Sequence, residues 1–312
     1  MNHELRCLRI ASCMAPNADR MCRAIVALLG RELAIPVHWI DDVPWHEREG
    51  MLDRGEIDLC WICGLPYVDK ADRGAAIAAC VAPVMHHPRH GGTAVYFSDV
   101  VVRADSHVRT FADLRGKSWA YNEPRSHSGF NLVRYHLASQ GLRWNFFGEV
   151  VEAGSHQAAL EMILAGATAG AAIDSSVLEA EVRARTRMTD EIRVVHTLGP
   201  SPSPPWVVST QMPARWRARV TDCLASLHCS LEGKSILNSW GIARLQPVDD
   251  ACYEPIRHMA RIALGIDAAE RARGCRDRSG SGDDDRFPGR DEYRRPESSE
   301  ATRFRTSLRR NA

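Results

Sequence analysis

Two stretches of this chain alternate short apolar strands with amphipathic helices, and that rhythm restricts the fold more than any other feature. In the first, residues 5–12, 34–40 and 57–62 read as strands, separated by helices at 18–31 and 45–54, with Gly30 near the end of the first helix. In the second, strands at 117–121, 147–152 and 169–173 are each followed by a helix, at 129–140, 155–165 and 176–186, before a strand at 192–198. A strand-helix alternation of this kind folds into parallel sheet covered on both faces, with ligands gathering at the carboxyl ends of the strands. Between the two runs lie an apolar segment at 77–85, a His-rich turn, and 93–103, the longest β-branched strand, which carries Tyr96. After the second run, 213–231, 233–240 and 249–264 read as helices.

The 312 residues suffice for about two domains. Beyond about Ala268 the composition turns to Arg, Asp, Glu, Ser, Gly and Pro with few aliphatics, so residues 268–312 are expected to be a disordered charged tail. A formal charge of +1 argues against a nucleic-acid partner held by bulk electrostatics. No apolar run is long enough to span a bilayer. Residues 1–9 alternate polar and apolar side chains and enter a strand without an apolar leader core. The expectation is therefore a cytoplasmic chain as written, or a periplasmic or membrane-associated one if start-site misassignment has removed a leader.

Ten cysteines are scattered through the chain, which is not the spacing of a disulfide scaffold, and buried free thiols are expected. Cys60 and Cys63 have C-x-x-C spacing, but they sit in an apolar strand that runs into a Gly64-Leu65-Pro66 turn. Redox or zinc chemistry is disfavoured there, because no helix start lowers a thiol pKa and no second pair completes a tetrad. His86, His87 and His90 are too contiguous for a facial metal set and read as a solvated hairpin tip. Neither a cofactor nor a metal is expected.

The chemistry concentrates in Trp119-Ala120-Tyr121-Asn122-Glu123-Pro124-Arg125-Ser126-His127-Ser128-Gly129. A strand leads through a polar turn into a helix start, whose free N–H groups and partial positive charge, with Ser126 and Ser128 beside them, suit an oxyanion or a plain N-cap. Gly154-Ser155-His156 repeats the pattern after the next strand, so two helix starts converge on one crevice. Asp174 follows the third strand. It can accept from a ligand hydroxyl, pair with a ligand ammonium, or cap the next helix.

These residues carry a resemblance. Asp58-Leu59-Cys60-Trp61 with Pro66-Tyr67, the stretch Tyr96 to Ser106, Phe111 to Lys117, Asn122 to Gly129, Gly154-Ser155-His156 and Ala172-Ile173-Asp174 together resemble the phosphate, phosphite and phosphonate substrate-binding proteins of ABC transporters, collinearly over roughly residues 5 to 265. The resemblance implies a type II periplasmic-binding-protein fold: two α/β lobes joined by two crossing strands, with the ligand cleft between them. The first crossing falls near Tyr96 to Val101 and the return near Pro204 to Ser209. Lobe 1 is then 1–97 with 204–267, and lobe 2 is 98–203.

The resemblance also implies a contact set of Tyr96, Ser126, His127, Ser128 and His156, with Asp174 as a further member, around a small anionic ligand. His127 departs from the family, which commonly has Thr there. Val177 and Ser201 to Pro204 stand where aminoalkylphosphonate binders place acidic residues, so a plain oxyanion is favoured over a zwitterion. Trp45, Trp61, Tyr67 and Trp206 are candidates for an aromatic wall, with core packing the better reading of each Trp. A monomer that delivers its ligand to an ABC permease is the leading expectation. A cytosolic sensor or carrier on the same fold is the alternative. A decarboxylase or hydrolase built on Ser128, His156 and Asp174 is the least favoured, since no nucleophile elbow surrounds Ser128.

Overall fold

In the computed structural model the described residues are 5–14 and 16–264; the charged segment from Ala268 onward lies outside them. The first part runs β1 (Leu8–Ser12), α1 (Asp19–Leu33), β2 (Val37–Ile40), α2 (Trp45–Asp53), β3 (Leu59–Trp61), α3 (Gly64–Asp72) and β4 (Ile77–Met85). The second runs β5 (Val95–Arg103), β6 (Ser118–Tyr121), α4 (Leu132–Ser139), β7 (Glu149–Glu152), α5 (His156–Leu164), β8 (Gly170–Asp174), α6 (Ser175–Ala184), α7 (Met188–Glu191) and β9 (Ile192–Pro202). The chain closes with β10 (Trp206–Ser209), α8 (Ala214–Ser226), α9 (Leu231–Asn238), β11 (Ile242–Pro247) and a helix, α10, through 254–264.

Among the described residues the strands form a six-stranded sheet, β11-β4-β10-β3-β1-β2, and a five-stranded one, β7-β6-β8-β5-β9. β1, β2 and β3 are parallel, as are β6, β7 and β8, so the two alternating runs of the sequence each make a parallel core. The strands that pass between sheets run antiparallel to their neighbours: β5 pairs with β8 and β9, and β10 with β3 and β4. The fold is the two-lobed type II periplasmic-binding-protein arrangement. The chain leaves the first sheet after Met85 and returns after Pro202, and the Ser203 amide donates to Ala94 O at 3.0 Å, tying the two crossings side by side.

Each sheet is apolar on both faces, which follows from alternating side chains in strands buried on both sides. In the first, Leu8, Ile10, Leu59 and Trp61 pack with α1, while Ala11, Cys60 and Ile62 pack with Tyr67, Tyr253 and Ile256. In the second, Val100 and Val102 meet an aromatic cluster in which Trp119 stacks on Phe147 at 4.5 Å, and Val101 and Ile173 meet Leu160 and Ile163 of α5.

Four sequence expectations change. The first helix runs past the expected bound at 31 to Leu33 and ends at Ala34 in the left-handed region; Gly30, near that end, lets the helix approach β2, since a Cβ there would meet both Val37 methyls at 3.1 Å. Gly64-Leu65-Pro66 is the first turn of α3, because a Pro in a helix's first turn forfeits no intrahelical bond. Residues 242–247 form an edge strand on β4 that the sequence did not suggest. The His-rich tip is only partly solvated: His90 is buried with Nδ1 2.8 Å from Val95 O, and Arg89 pairs with buried Asp99 at 2.9 Å and Glu179 at 3.0 Å. Trp61 and Trp206 stack in the core with parallel rings, and Tyr67 is buried against Tyr253.

The Trp119 ring is fully buried at the centre of the second sheet's aromatic cluster. Trp119→Ala is expected to cost about 3–5 kcal/mol, read as a lower urea midpoint with the site groups intact. A loss below about 1 kcal/mol would mean that this cluster does not hold the lobe together.

Candidate functional site

The carboxyl end of β6 leads through Asn122 and Glu123 into Ser126, whose side chain caps the next helical segment by accepting the Gly129 N–H at 3.1 Å. That segment opens as a single π-helical turn, His127–Asn131, before α4 continues. Wide turns of this type recur at functional sites, since they redirect N–H groups that a regular helix would tie up. From β7, Ser155 caps α5 in the same way, accepting the Ala158 N–H at 3.0 Å, and so directs His156 inward. His156 Nε2 lies 3.1 Å from Ser128 Oγ. The two helix starts therefore meet through their side chains.

Gly129 is required by this approach. A Cβ on it would stand 2.1 Å from Asn122 Oδ1 and 3.1 Å from His156 Cε1. Asn122 is buried and its Oδ1 has no hydrogen-bond partner, a polar group facing the point where the helix starts converge. Behind them, Ser98 of β5 donates to Ser128 O at 2.9 Å and fixes the turn to the crossing strand.

His127 is fully buried, and both ring nitrogens are engaged. Asn131 Nδ2 donates to Nδ1 at 3.1 Å, which leaves the proton on Nε2, 3.0 Å from Ser201 Oγ on β9. Burial lowers its pKa to about 3, so the ring is neutral. Burial lowers His156 to about 4, opposed by the Ala172 backbone. The site thus offers hydroxyls, amides and neutral imidazoles rather than a formal cation.

Tyr96, the partner of Ser201 across β5 and β9, is 2% exposed, with its ring centroid 6.4 Å from that of His127. Its hydroxyl has no partner at hydrogen-bond geometry, although Ser128 lies close enough to temper the upward shift that burial, Cys63 and Asp174 give its pKa. Asp174 caps α6, Oδ1 accepting from the Ser176 N–H at 2.8 Å and the Ser176 hydroxyl at 2.7 Å. Burial raises its pKa to about 6 despite those bonds. Of its three possible roles, the cap is the one occupied, and the carboxyl is not bonded to His156. Ser128 and His156 are in contact, but with Asp174 bonded to Ser176 the three are not a linked triad.

Two features escaped the sequence. Cys63 comes from the other lobe at the start of α3, and its Sγ accepts the His127 N–H at 3.5 Å. Two carboxyl groups lie beside the turn: buried Glu49 of α2 pairs with Arg125 at 2.7 Å, and burial with the Glu49 charge raises Glu123 to about 8. The turn reading of Gly64-Leu65-Pro66 hid the first. Nothing in the local pattern of α2 signals the second.

The family described as ABC transporter, phosphonate, periplasmic substrate-binding protein matches residues 14–253. A binding-protein component of an ABC phosphonate transporter from Pseudomonas aeruginosa is similar in structure at 15% identity, TM-score 0.74, over 85% of this chain and 89% of that one. PhnD1 of Prochlorococcus marinus, solved with methylphosphonate, is similar at 16% identity, TM-score 0.73, over 82% and 97%. The aliphatic sulphonate-binding protein of Escherichia coli is similar at 17% identity, TM-score 0.58, over 93% and 99%. At these identities the structural likeness speaks for the fold.

The buried histidines set a pH dependence. A neutral imidazole whose folded pKa lies below the unfolded 6.5 binds fewer protons than the unfolded chain at pH 6.5 and below, so its stability is lost as pH falls through that window. Asp174 acts with the opposite sign, because its folded pKa lies above the unfolded value and its contribution is lost as pH rises through about 6. Urea unfolding of wild type and His127→Gln between pH 7 and pH 5 is expected to show the wild type losing about 2 kcal/mol more than the variant. Equal pH slopes would refute the buried neutral ring.

Proposed function

Because the chain belongs to the phosphonate-binding family of ABC-transporter periplasmic substrate-binding proteins, we propose that it captures a small phosphorus oxyanion, of the phosphonate, phosphite or phosphate class, by closing its lobes around it and passing it to a membrane permease. The observation that carries the reading is the 3.1 Å contact between Ser128 Oγ and His156 Nε2, which brings two capped helix starts to one point. Helix starts and neutral donors in a dry recess bind an oxyanion through N–H and O–H dipoles. Ser126, Ser128, His156 and Tyr96 are the contact groups. His127 supports the turn through Asn131 and Ser201, with its backbone amide facing the cleft. Asp174, with its raised pKa, accepts from a ligand P–OH. The lobes are 1–97 with 204–267, and 98–203, of which 1–4, 15 and 265–267 lie outside the described residues, and the protein acts as a monomer.

A binding role without catalysis is favoured by the way the reactive groups are committed. Asp174 is held by Ser176, which leaves His156 without an orienting carboxylate, and a base of pKa about 4 is a poor proton acceptor at neutral pH. The family's station is the periplasm, and that station is part of the proposal; among the described residues no helix is long and apolar enough to cross a membrane. Cell fractionation that finds the protein with cytoplasmic markers would favour a sensor on the same fold.

A thermal-shift series with phosphate, phosphite, methylphosphonate, aminoethylphosphonate and sulfate tests the ligand. At about a hundred times its Kd the right oxyanion stabilises the fold by roughly 2.7 kcal/mol, and Ser128→Ala or His156→Ala should abolish most of that shift. A panel in which nothing raises Tm would overturn the oxyanion reading.

A further inference from the structure

Facing the anion site from the first lobe is the start of a third helix. Cys63 precedes α3, and although the Leu65 N–H lies near enough to its sulfur to favour the thiolate slightly, the side chain makes no cap hydrogen bond to its own helix. The sulfur is turned across the cleft, where it accepts the His127 N–H at 3.5 Å. That amide opens the π-helical turn, where a helix start presents a donor to an oxyanion. A neutral thiol is a weak acceptor for such a donor, and burial pushes the Cys63 pKa up to about 12. An oxyanion oxygen at the same place would accept a charge-assisted bond of roughly twice the strength.

Two polar groups in the same recess lack partners. Tyr96, 2% exposed and near enough to Cys63 for the sulfur to disfavour ionisation of the phenol, has an unsatisfied hydroxyl. Asn122, 8% exposed, has an unsatisfied Oδ1 beside Gly129 and His156. Buried polar groups without partners are uncommon, and a cleft where they stand around a weakly held N–H is arranged for a guest.

We propose that the Cys63 thiol is the first lobe's contact to the bound oxyanion, so that a substituent on its sulfur and the ligand compete for one place and closure of the lobes is blocked by the substituent. The proposal rests on the oxyanion reading, and its test separates the two. Methyl methanethiosulfonate adds a small methylthio group to accessible thiols. Peptide mass spectrometry follows its reaction at Cys63, with the exposed Cys229 and Cys252 as internal references.

In ligand-free protein Cys63 is expected to react as the lobes open. At a hundred times Kd of whichever oxyanion raises Tm, its rate should fall about a hundredfold while Cys229 and Cys252 react as before. The methylthiolated protein should lose the oxyanion's Tm shift and show a larger radius of gyration by small-angle scattering. Cys63→Ser protein given the same reagent should change neither property from its own starting value. Undiminished labelling of Cys63 beneath a bound oxyanion overturns the proposal, and so does a Cys63 that never labels in native ligand-free protein. If no oxyanion raises Tm, the oxyanion reading falls by itself. The radius of gyration then decides for Cys63, and equal values before and after labelling overturn its place at the lobe contact.

Discussion

The structure depends on one antiparallel ladder. β5 and β9 pair from Val95 with Pro202 through to Arg103 with Ile192, and the next residues of each strand remain bonded as the chain crosses to the first sheet. Because the crossings are tied together, the carboxyl ends of both parallel cores are turned toward the same cleft. β6, β7 and β8 deliver Ser126, Ser155 and Asp174 from one side, and β3 delivers Cys63 from the other. Tyr96 and Ser201 lie on the ladder itself, opposite one another, so the crossing strands also carry the proposed contact Tyr96 and the partner of His127. A change that loosened this pairing would alter site geometry before it altered either core.

Much of this was legible in the sequence where the physics is local. Ser126 and Ser155 were legible as helix starts, because a serine before an apolar-periodic run has a hydroxyl oxygen placed to accept a free N–H of the first turn. The parallel cores were legible because strands buried on both faces are short and uniformly apolar. What stayed hidden depended on partners distant in the chain. α3 was masked by Pro66, harmless in a first turn, and β11 consists of a mixed segment, Ile242–Pro247, that becomes a strand only because β4 offers it an open edge. His90 read as a surface residue because its burial comes from folding back on Val95 and from Glu179, neither visible as a pattern.

The site residues divide along the same line. Ser126, Ser128 and His156 stood in two recognisable helix-start motifs, and the structure brings Ser128 and His156 into contact. His127 was expected to offer its ring to the ligand. Its ring is instead consumed by Asn131 and Ser201, so its departure from the family's usual Thr reads as reinforcement of the turn. Asp174 was legible as a cap, and the cap is what it makes.

A recess furnished with hydroxyls, amides and uncharged imidazoles has a consequence for the solution around it. An anion held by fixed dipoles instead of by an arginine or lysine gains little from long-range attraction, and there is correspondingly little for dissolved salt to screen. The ligand's own hydrogen bonds would hold nearly unchanged from dilute to concentrated electrolyte, and salt would act chiefly on the Arg125–Glu49 pair that joins the two lobes.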